Sequence, residues 1–187
     1  IKNTEEIKLK NEDLNELKRL ENLEGDIFIG GDHSISYYTI KNLSKKFNNL
    51  FLIVFDAHFD CEDYFVPPSH EDFINALIKD KIIKKENLIF IGVRKWSNGE
   101  INFIRQNKIK YFTAEDVREG IDLIVKRLKE LITKSDGVYV SVDIDVLDQK
   151  GYQIFNVGTE TGIKVKDVLT EIFKIVGYKV PVDDLGK

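Results

Sequence analysis

The sequence predicts an α/β fold: a three-layer sandwich with a mainly parallel sheet between helical layers. Three observations lead there. Phe51-Leu-Ile-Val-Phe55 is an unbroken apolar run, which suits a strand buried on both faces. Such runs alternate along the chain with segments of helical spacing, and no internal repeat or low-complexity linker interrupts them. His33, His58 and the paired aspartates fall where the runs end, and α/β sheets bind ligands just beyond the carboxyl ends of their strands.

The elements follow in order. Residues 1–23 are charged, with Leu14, Leu17, Leu20 and Leu23 at spacing three, the pattern of an amphipathic helix covering the sheet. Asp26-Ile-Phe-Ile-Gly30 reads as a short strand. The turn Gly30-Gly31-Asp32-His33-Ser34 follows, with Ser34 placed to cap a helix over Ile35–Phe47. The central strand then runs into Asp56-Ala-His58-Phe-Asp60, and Cys61–Pro68 is a loop. Ser69 is placed to cap a helix that runs through about Asp80, with His70 in its first turn. Asn87–Val93 is a strand, Arg94–Gly99 a loop with the chain's one Trp, Glu100–Asn107 a short helix and Lys110–Phe112 a short strand. Thr113-Ala-Glu-Asp116 has the form of a capped helix start, and Ile121–Thr133 keeps helical spacing. Gly137-Val-Tyr-Val-Ser-Val-Asp143-Ile-Asp145 is a second strand that ends on carboxylates. A loop over 149–163, an amphipathic helix over Val165–Val176 and a short tail complete the chain.

Asp56, His58 and Asp60 alternate, which is the period of an extended chain, so their side chains are expected to converge at the strand end. Two carboxylates with an imidazole suit a divalent ion such as Mn, Zn or Fe. Asp143 and Asp145 stand on one side of their strand. Carboxylates so placed repel each other, and a cation between them is the natural explanation. The alternative is a pair of solvated turn aspartates. His33 at its strand-to-helix junction is either a structural residue or a further ligand, and the second cluster favours the ligand. His70 either faces the pocket or is a solvated residue at a helix start.

Bulk properties narrow the function. At 187 residues the chain has the length of one domain. A net charge of −4 without a basic block does not indicate nucleic-acid binding. The charged first residues predict neither a signal peptide nor a membrane span. The single Cys61 excludes an internal disulfide framework and fits a reducing, cytoplasmic compartment.

Gly-Gly-Asp-His33-Ser, Asp56-Ala-His58-Phe-Asp60 and Ser-Val-Asp143-Ile-Asp145, in that order, strongly resemble the ureohydrolase superfamily of arginase, agmatinase and formimidoylglutamase. The resemblance covers residues 26 to 169. It implies an arginase-like fold, a single ureohydrolase-like domain over 1–187 and two Mn2+ per chain. His33, Asp56, Asp60 and Asp143 are implied to hold one ion, and Asp56, His58, Asp143 and Asp145 the other, with Asp56 and Asp143 bridging. Water activated between the metals would attack a guanidinium carbon and release urea and an amine, with Asp60 accepting a hydrogen bond from that water. His70 matches the family's proton-shuttle histidine. Asp167 stands at the position of an acid that binds the guanidinium.

The substrate expected from the resemblance is agmatine, hydrolysed to putrescine; arginase and formimidoylglutamase activities stay open. The partners implied are a small guanidino or amidino substrate and further copies of the chain in a trimer or hexamer. A zinc deacetylase of related fold leaves His33 and Asp60 unused. A phosphohydrolase built on Asp143 and Asp145 leaves the histidines unused. A homologue that keeps the metals without turnover is the non-enzymatic alternative.

Overall fold

The computed structural model describes residues 14–22, 25, 27–28, 30 and 32–147. The chain divides into two compact units. Leu9–Leu147 is one; the other, Ile1–Lys8 with Asp148–Lys187, lies wholly outside the described residues. The expected loop 149–163, the helix Val165–Val176 and Asp167 therefore lie outside them too, as do the first residues of the lead-in helix.

The described elements alternate as expected. They are α1 (Leu14–Arg19, continued by a 3-10 turn Leu20–Asn22), α2 (Ile35–Ser44), β1 (Leu50–Phe55), α3 (Phe73–Lys79) and β2 (Leu88–Val93). Then come α4 (Asn98–Asn107), β3 (Lys110–Thr113), α5 (Ala114–Ile132), β4 (Gly137–Val142) and a 3-10 turn Ile144–Val146. The four strands pair in the order β3-β2-β1-β4, and every pairing is parallel.

The apolar run of β1 explains the layers. Successive side chains point to opposite faces. Leu50, Leu52 and Val54 enter a core with Tyr37 and Ile40 of α2, Ile74 and Leu77 of α3, and Ile101 and Ile104 of α4. Phe51 and Ile53 enter a second core with Ile124 and Leu128 of α5. Leu52 and Val54 are completely buried, and burying such a side chain contributes about 1.5–3 kcal/mol. Helices thus cover both faces, and the expected three-layer α/β sandwich is the fold observed.

Topology sets the place of the site. From β1 the chain steps to β2 and β3 on one side, then returns through α5 to β4 on the other side of β1. The strand order reverses between β1 and β4, and a crevice opens at such a switch point. β1 ends at Phe55 and β4 at Val142, so Asp56 and Asp143 are the first residues beyond the sheet there.

Several local expectations need correction. Ile27, Phe28 and Gly30 are not in a strand, while Asp26 and Ile29 lie outside the described residues. Ser34 occupies the first position before α2 in helical conformation, and its side chain caps nothing. Asp32 does that work, since its Oδ1 accepts from the Ser34 N–H at 2.8 Å. Ser69 does not open a helix either. Its hydroxyl donates to Asp72 Oδ1 at 2.5 Å, and α3 begins only at Phe73. By contrast Thr113 and Asp116 form the expected capping box, and Ser97 and Glu100 form another at the start of α4. No described helix is long and apolar enough to cross a membrane.

Gly92, near the end of β2, has φ +98, and a Cβ there would lie 2.5 Å from Val146 Cγ2 and 3.6 Å from the Asp56 carbonyl. Only glycine meets both demands. Gly92→Ala should destabilise the chain by about 1–3 kcal/mol from backbone strain alone, read as a lower urea midpoint at unchanged slope. It should also push away the turn that carries Asp145.

Candidate functional site

Asp56 is fixed from both sides of β1. Its N–H donates to the Ile91 carbonyl at 3.2 Å, while the Asp143 N–H donates to the Phe55 carbonyl at 2.8 Å. The ladder therefore runs one residue past the strands and sets Asp56 beside Asp143. Beyond Asp56 the chain leaves the extended conformation. Asp60 adopts φ 48, a left-handed conformation that Asp tolerates better than most residues. Its carbonyl accepts from the Ile74 N–H at 3.2 Å, at the start of α3. The convergence of Asp56, His58 and Asp60 thus comes from a turn, not from the strand period expected of the sequence.

The second carboxylate pair is held as firmly. The Asp145 N–H donates to Asp143 Oδ1 at 2.9 Å, and the Ala57 N–H donates to Asp145 Oδ1 at 3.0 Å. From the end of β2, the Arg94 guanidinium donates to the carbonyls of Asp145, Val146 and Leu147. That clamp ties the 3-10 turn, and Asp145 with it, to the end of β2, across β1.

These groups line a cavity of about 520 Å³ together with Asp32, Glu62, His70, Glu71 and Glu100. The structure brings His33, Asp56, His58, Asp60, Asp143 and Asp145 into it. His33 Nδ1 lies 2.8 Å from Asp60 Oδ2, 3.1 Å from Asp56 Oδ2 and 3.6 Å from Asp143 Oδ2. His58 Nδ1 lies 2.8 Å from Asp145 Oδ2 and 3.7 Å from Asp56 Oδ1. His70 sits at the rim, its ring nitrogens 3.6 Å from Asp32 and 3.9 Å from Glu71, and its side chain is 58% exposed.

The electrostatics are those of a centre short of positive charge. Burial opposes a charge on His33, but the two carboxylates beside it, Asp56 and Asp60, outweigh it and raise its pKa to about 10. Burial raises Asp60 to about 6, against the hydrogen bond from His33. Burial also raises Asp56 above the usual carboxylate range. One proton on His33 Nδ1 serves Asp60 and cannot also serve Asp56. Asp56 is 1% exposed, and its Oδ2 has no hydrogen-bond partner. A buried carboxylate oxygen left so costs free energy, and a cation is what removes the deficit.

The donor set fits such a cation. His33, Asp56 and Asp143 form one group whose ligand atoms lie within 4.8 Å of one another, and Asp56, His58 and Asp145 form another. Asp56 belongs to both. Carboxylate oxygens with imidazole suit manganese and its neighbours.

Sequence reading overlooked four acids of the lining, Asp32, Glu62, Glu71 and Glu100. It also passed over Ser141, whose hydroxyl meets His33 Nε2 at 2.8 Å. The signal was present in part, because Ser141 stands two residues before Asp143 on the same side of β4.

Comparison with known proteins agrees with this geometry. The sequence pattern of the arginase family matches residues 5–170. The arginase of Bacillus subtilis (strain 168) is 31% identical over 172 residues, covering 79% of this chain and 58% of that protein. The crystal structure of formimidoylglutamase from Bacillus subtilis superposes with a TM-score of 0.71 at 26% identity, over 90% of this chain and 58% of that one. A hypothetical agmatinase from Burkholderia thailandensis superposes with a TM-score of 0.57 at 28% identity, over 72% of this chain and 40% of that one. The chain spans 58% of the length of the Bacillus arginase that it matches.

Proposed function

The chain belongs to the arginase family, and from that premise we propose that it hydrolyses a guanidino compound to urea and an amine with the help of two manganese ions. The observation that carries the reading is the pair of ligand groups that share Asp56, whose buried Oδ2 is otherwise unpartnered. His33, Asp56, Asp60 and Asp143 would hold one ion and Asp56, His58, Asp143 and Asp145 the other. Bound there, the metal pair supplies Lewis-acid charge that makes a water nucleophilic near neutral pH.

The chain's own residues do the rest. Asp60 accepts a hydrogen bond from the attacking water and so aims its lone pair at the guanidinium carbon. As the carbon–nitrogen bond to the leaving group breaks, His70 gives that nitrogen a proton, and the amine leaves neutral. Asp167, outside the described residues, would pair with the guanidinium. The whole sequence, 1–187, is taken as one ureohydrolase-like domain that acts in the cytoplasm and self-associates as a trimer or hexamer.

Agmatine is the substrate that this lining favours. No Lys or Arg lines the described cavity, whereas Asp32, Glu62 and Glu71 stand around it. A guanidinium with an ammonium at its far end meets attraction there. Arginine brings a carboxylate to the same acids, yet the similarity to arginases keeps it as the second candidate. The test is urea release from agmatine, arginine and guanidinobutyrate, and formamide release from formimidoylglutamate, with added manganese. Turnover of agmatine well above the others is expected; turnover of arginine alone would transfer the assignment to arginase.

Manganese should also stabilise the fold. Free ion at 100 times its Kd should contribute about 2.7 kcal/mol per site, read as a rise in Tm that a chelator reverses. An unchanged Tm at millimolar manganese would count against the site.

A further inference from the structure

Asp72 stands at the position just before α3, where an Asp commonly accepts the free N–H groups of the helix. Here its side chain caps nothing. Both oxygens turn to the preceding loop instead. Oδ2 accepts the Phe65 N–H at 2.7 Å. Oδ1 accepts the Ser69 N–H and the Ser69 hydroxyl, each at 2.5 Å. Asp72 is 0% exposed, and a carboxylate so buried needs donors on its oxygens. One side chain thus ties together the two ends of the loop Phe65–Ser69, while Phe65 and Val66 lie open to solvent.

The next residue after that loop is His70. Its ring nitrogens lie 3.6 Å from Asp32 and 3.9 Å from Glu71, beyond hydrogen-bond reach. The place of the imidazole therefore depends on the backbone that carries it. That backbone is fixed on both sides of His70. Before it, Ser69 is held by Asp72. After it, the Glu71 carbonyl accepts the Glu62 N–H at 3.0 Å. The Ser69 hydroxyl also accepts the Glu71 N–H at 3.2 Å, so a clasp that begins at Asp72 closes across His70.

We infer that Asp72 is a positioning residue, whose buried carboxylate closes the loop Phe65–Ser69 and so sets where His70 stands at the mouth of the cavity. This rests on the reading of His70 as the proton donor to the leaving amine. A proton donor must come within hydrogen-bond reach of the nitrogen it serves, and a misplacement of about 1 Å can cost roughly 10²-fold in rate. The carboxylate forgoes the helix cap that its position offers and spends both oxygens on the loop. An amide in its place could accept from Ser69 or from Phe65 but not from both, because its nitrogen would meet an N–H with hydrogens.

The test is a double-mutant cycle on the full chain loaded with manganese, using the guanidino substrate it turns over best. Asp72→Asn should lower kcat by up to roughly 10²-fold, with manganese content close to the parent's, since Asp72 belongs to neither ligand group. In the His70→Ala background the same substitution should lower kcat no further, because the residue it positions is gone. Ser69→Ala keeps the N–H bond to Asp72 and should cause a smaller loss, again absent in His70→Ala. If Asp72→Asn does not fold, Ser69→Ala carries the cycle. An equal loss in both backgrounds, a loss of manganese along with kcat, or a parent-like kcat in every folded variant would overturn the positioning role and leave His70 as the donor. Parent-like turnover in His70→Ala would overturn both, and a parent chain that releases no urea would overturn the hydrolase reading with them.

Discussion

Asp56→Asn should strip both metal ions from the chain and lower turnover by at least about 10⁴-fold, because a bound metal moves the pKa of water from 15.7 to about 7 and that gain is forfeited. The substitution preserves shape. Asn can still accept the His58 N–H that Asp56 Oδ1 accepts at 2.7 Å. What it removes is the Oδ2 that is buried and unpartnered, on the one residue that belongs to both ligand groups. An amide nitrogen in its place points hydrogens at the cation position. Metal-free stability should move the other way. Burial raises the Asp56 pKa, so its ionised form is destabilising in the fold at neutral pH. The amide carries no charge there, and the metal-free variant should unfold at equal or higher urea than the metal-free parent. Elemental analysis, turnover and a urea titration of both metal-free chains form the test. Two manganese ions per chain in Asp56→Asn would refute the shared-ligand role.

Opposite effects on stability and activity at one residue also explain what was legible in the sequence. Asp56, His58, Asp60, Asp143 and Asp145 stood out because four carboxylates at the ends of apolar runs are expensive without a partner. The α/β sandwich stood out because the apolar run of β1 leaves no polar face for water. The box Thr113–Asp116 was readable because it closes within three residues, whereas the like box Ser97–Glu100 was passed over inside a stretch read as a loop. Ser34 and Ser69 misled because a carboxylate close in sequence holds each serine: Asp32 accepts the Ser34 N–H, and Asp72 accepts both donors of Ser69. The turn at Asp60 was hidden because a left-handed residue other than glycine leaves no compositional mark. The Ser141 hydroxyl behind His33, with Ser36 beside it, was hidden for a different reason. Ser36 and Ser141 are 105 residues apart, and only the packing of α2 on β4 makes partners of two common polar residues.

His70→Ala should leave manganese content and folding intact while turnover falls roughly 10²–10⁴-fold, the contribution of a positioned acid–base group. The side chain lines the cavity without belonging to either ligand group. Its nearest charged neighbours are Asp32 and Glu71 at the rim, not the shared Asp56. Removing it takes no ligand from the metals and leaves no hole in the core. An imidazole is the side chain suited to carry a proton between solvent and a leaving amine near neutral pH, and a half-exposed place at the mouth lets it exchange with water between turnovers. The space vacated in His70→Ala opens to solvent, so imidazole added to the buffer should restore part of the rate, and N-methylimidazole, which also accepts and returns a proton, should do the same. Asp32→Asn should have a smaller effect, since at 3.6 Å that carboxylate orients the ring rather than the substrate. Normal turnover in His70→Ala at full manganese occupancy would discard the shuttle. The proton for the amine would then have to come from the attacking water by way of Asp60.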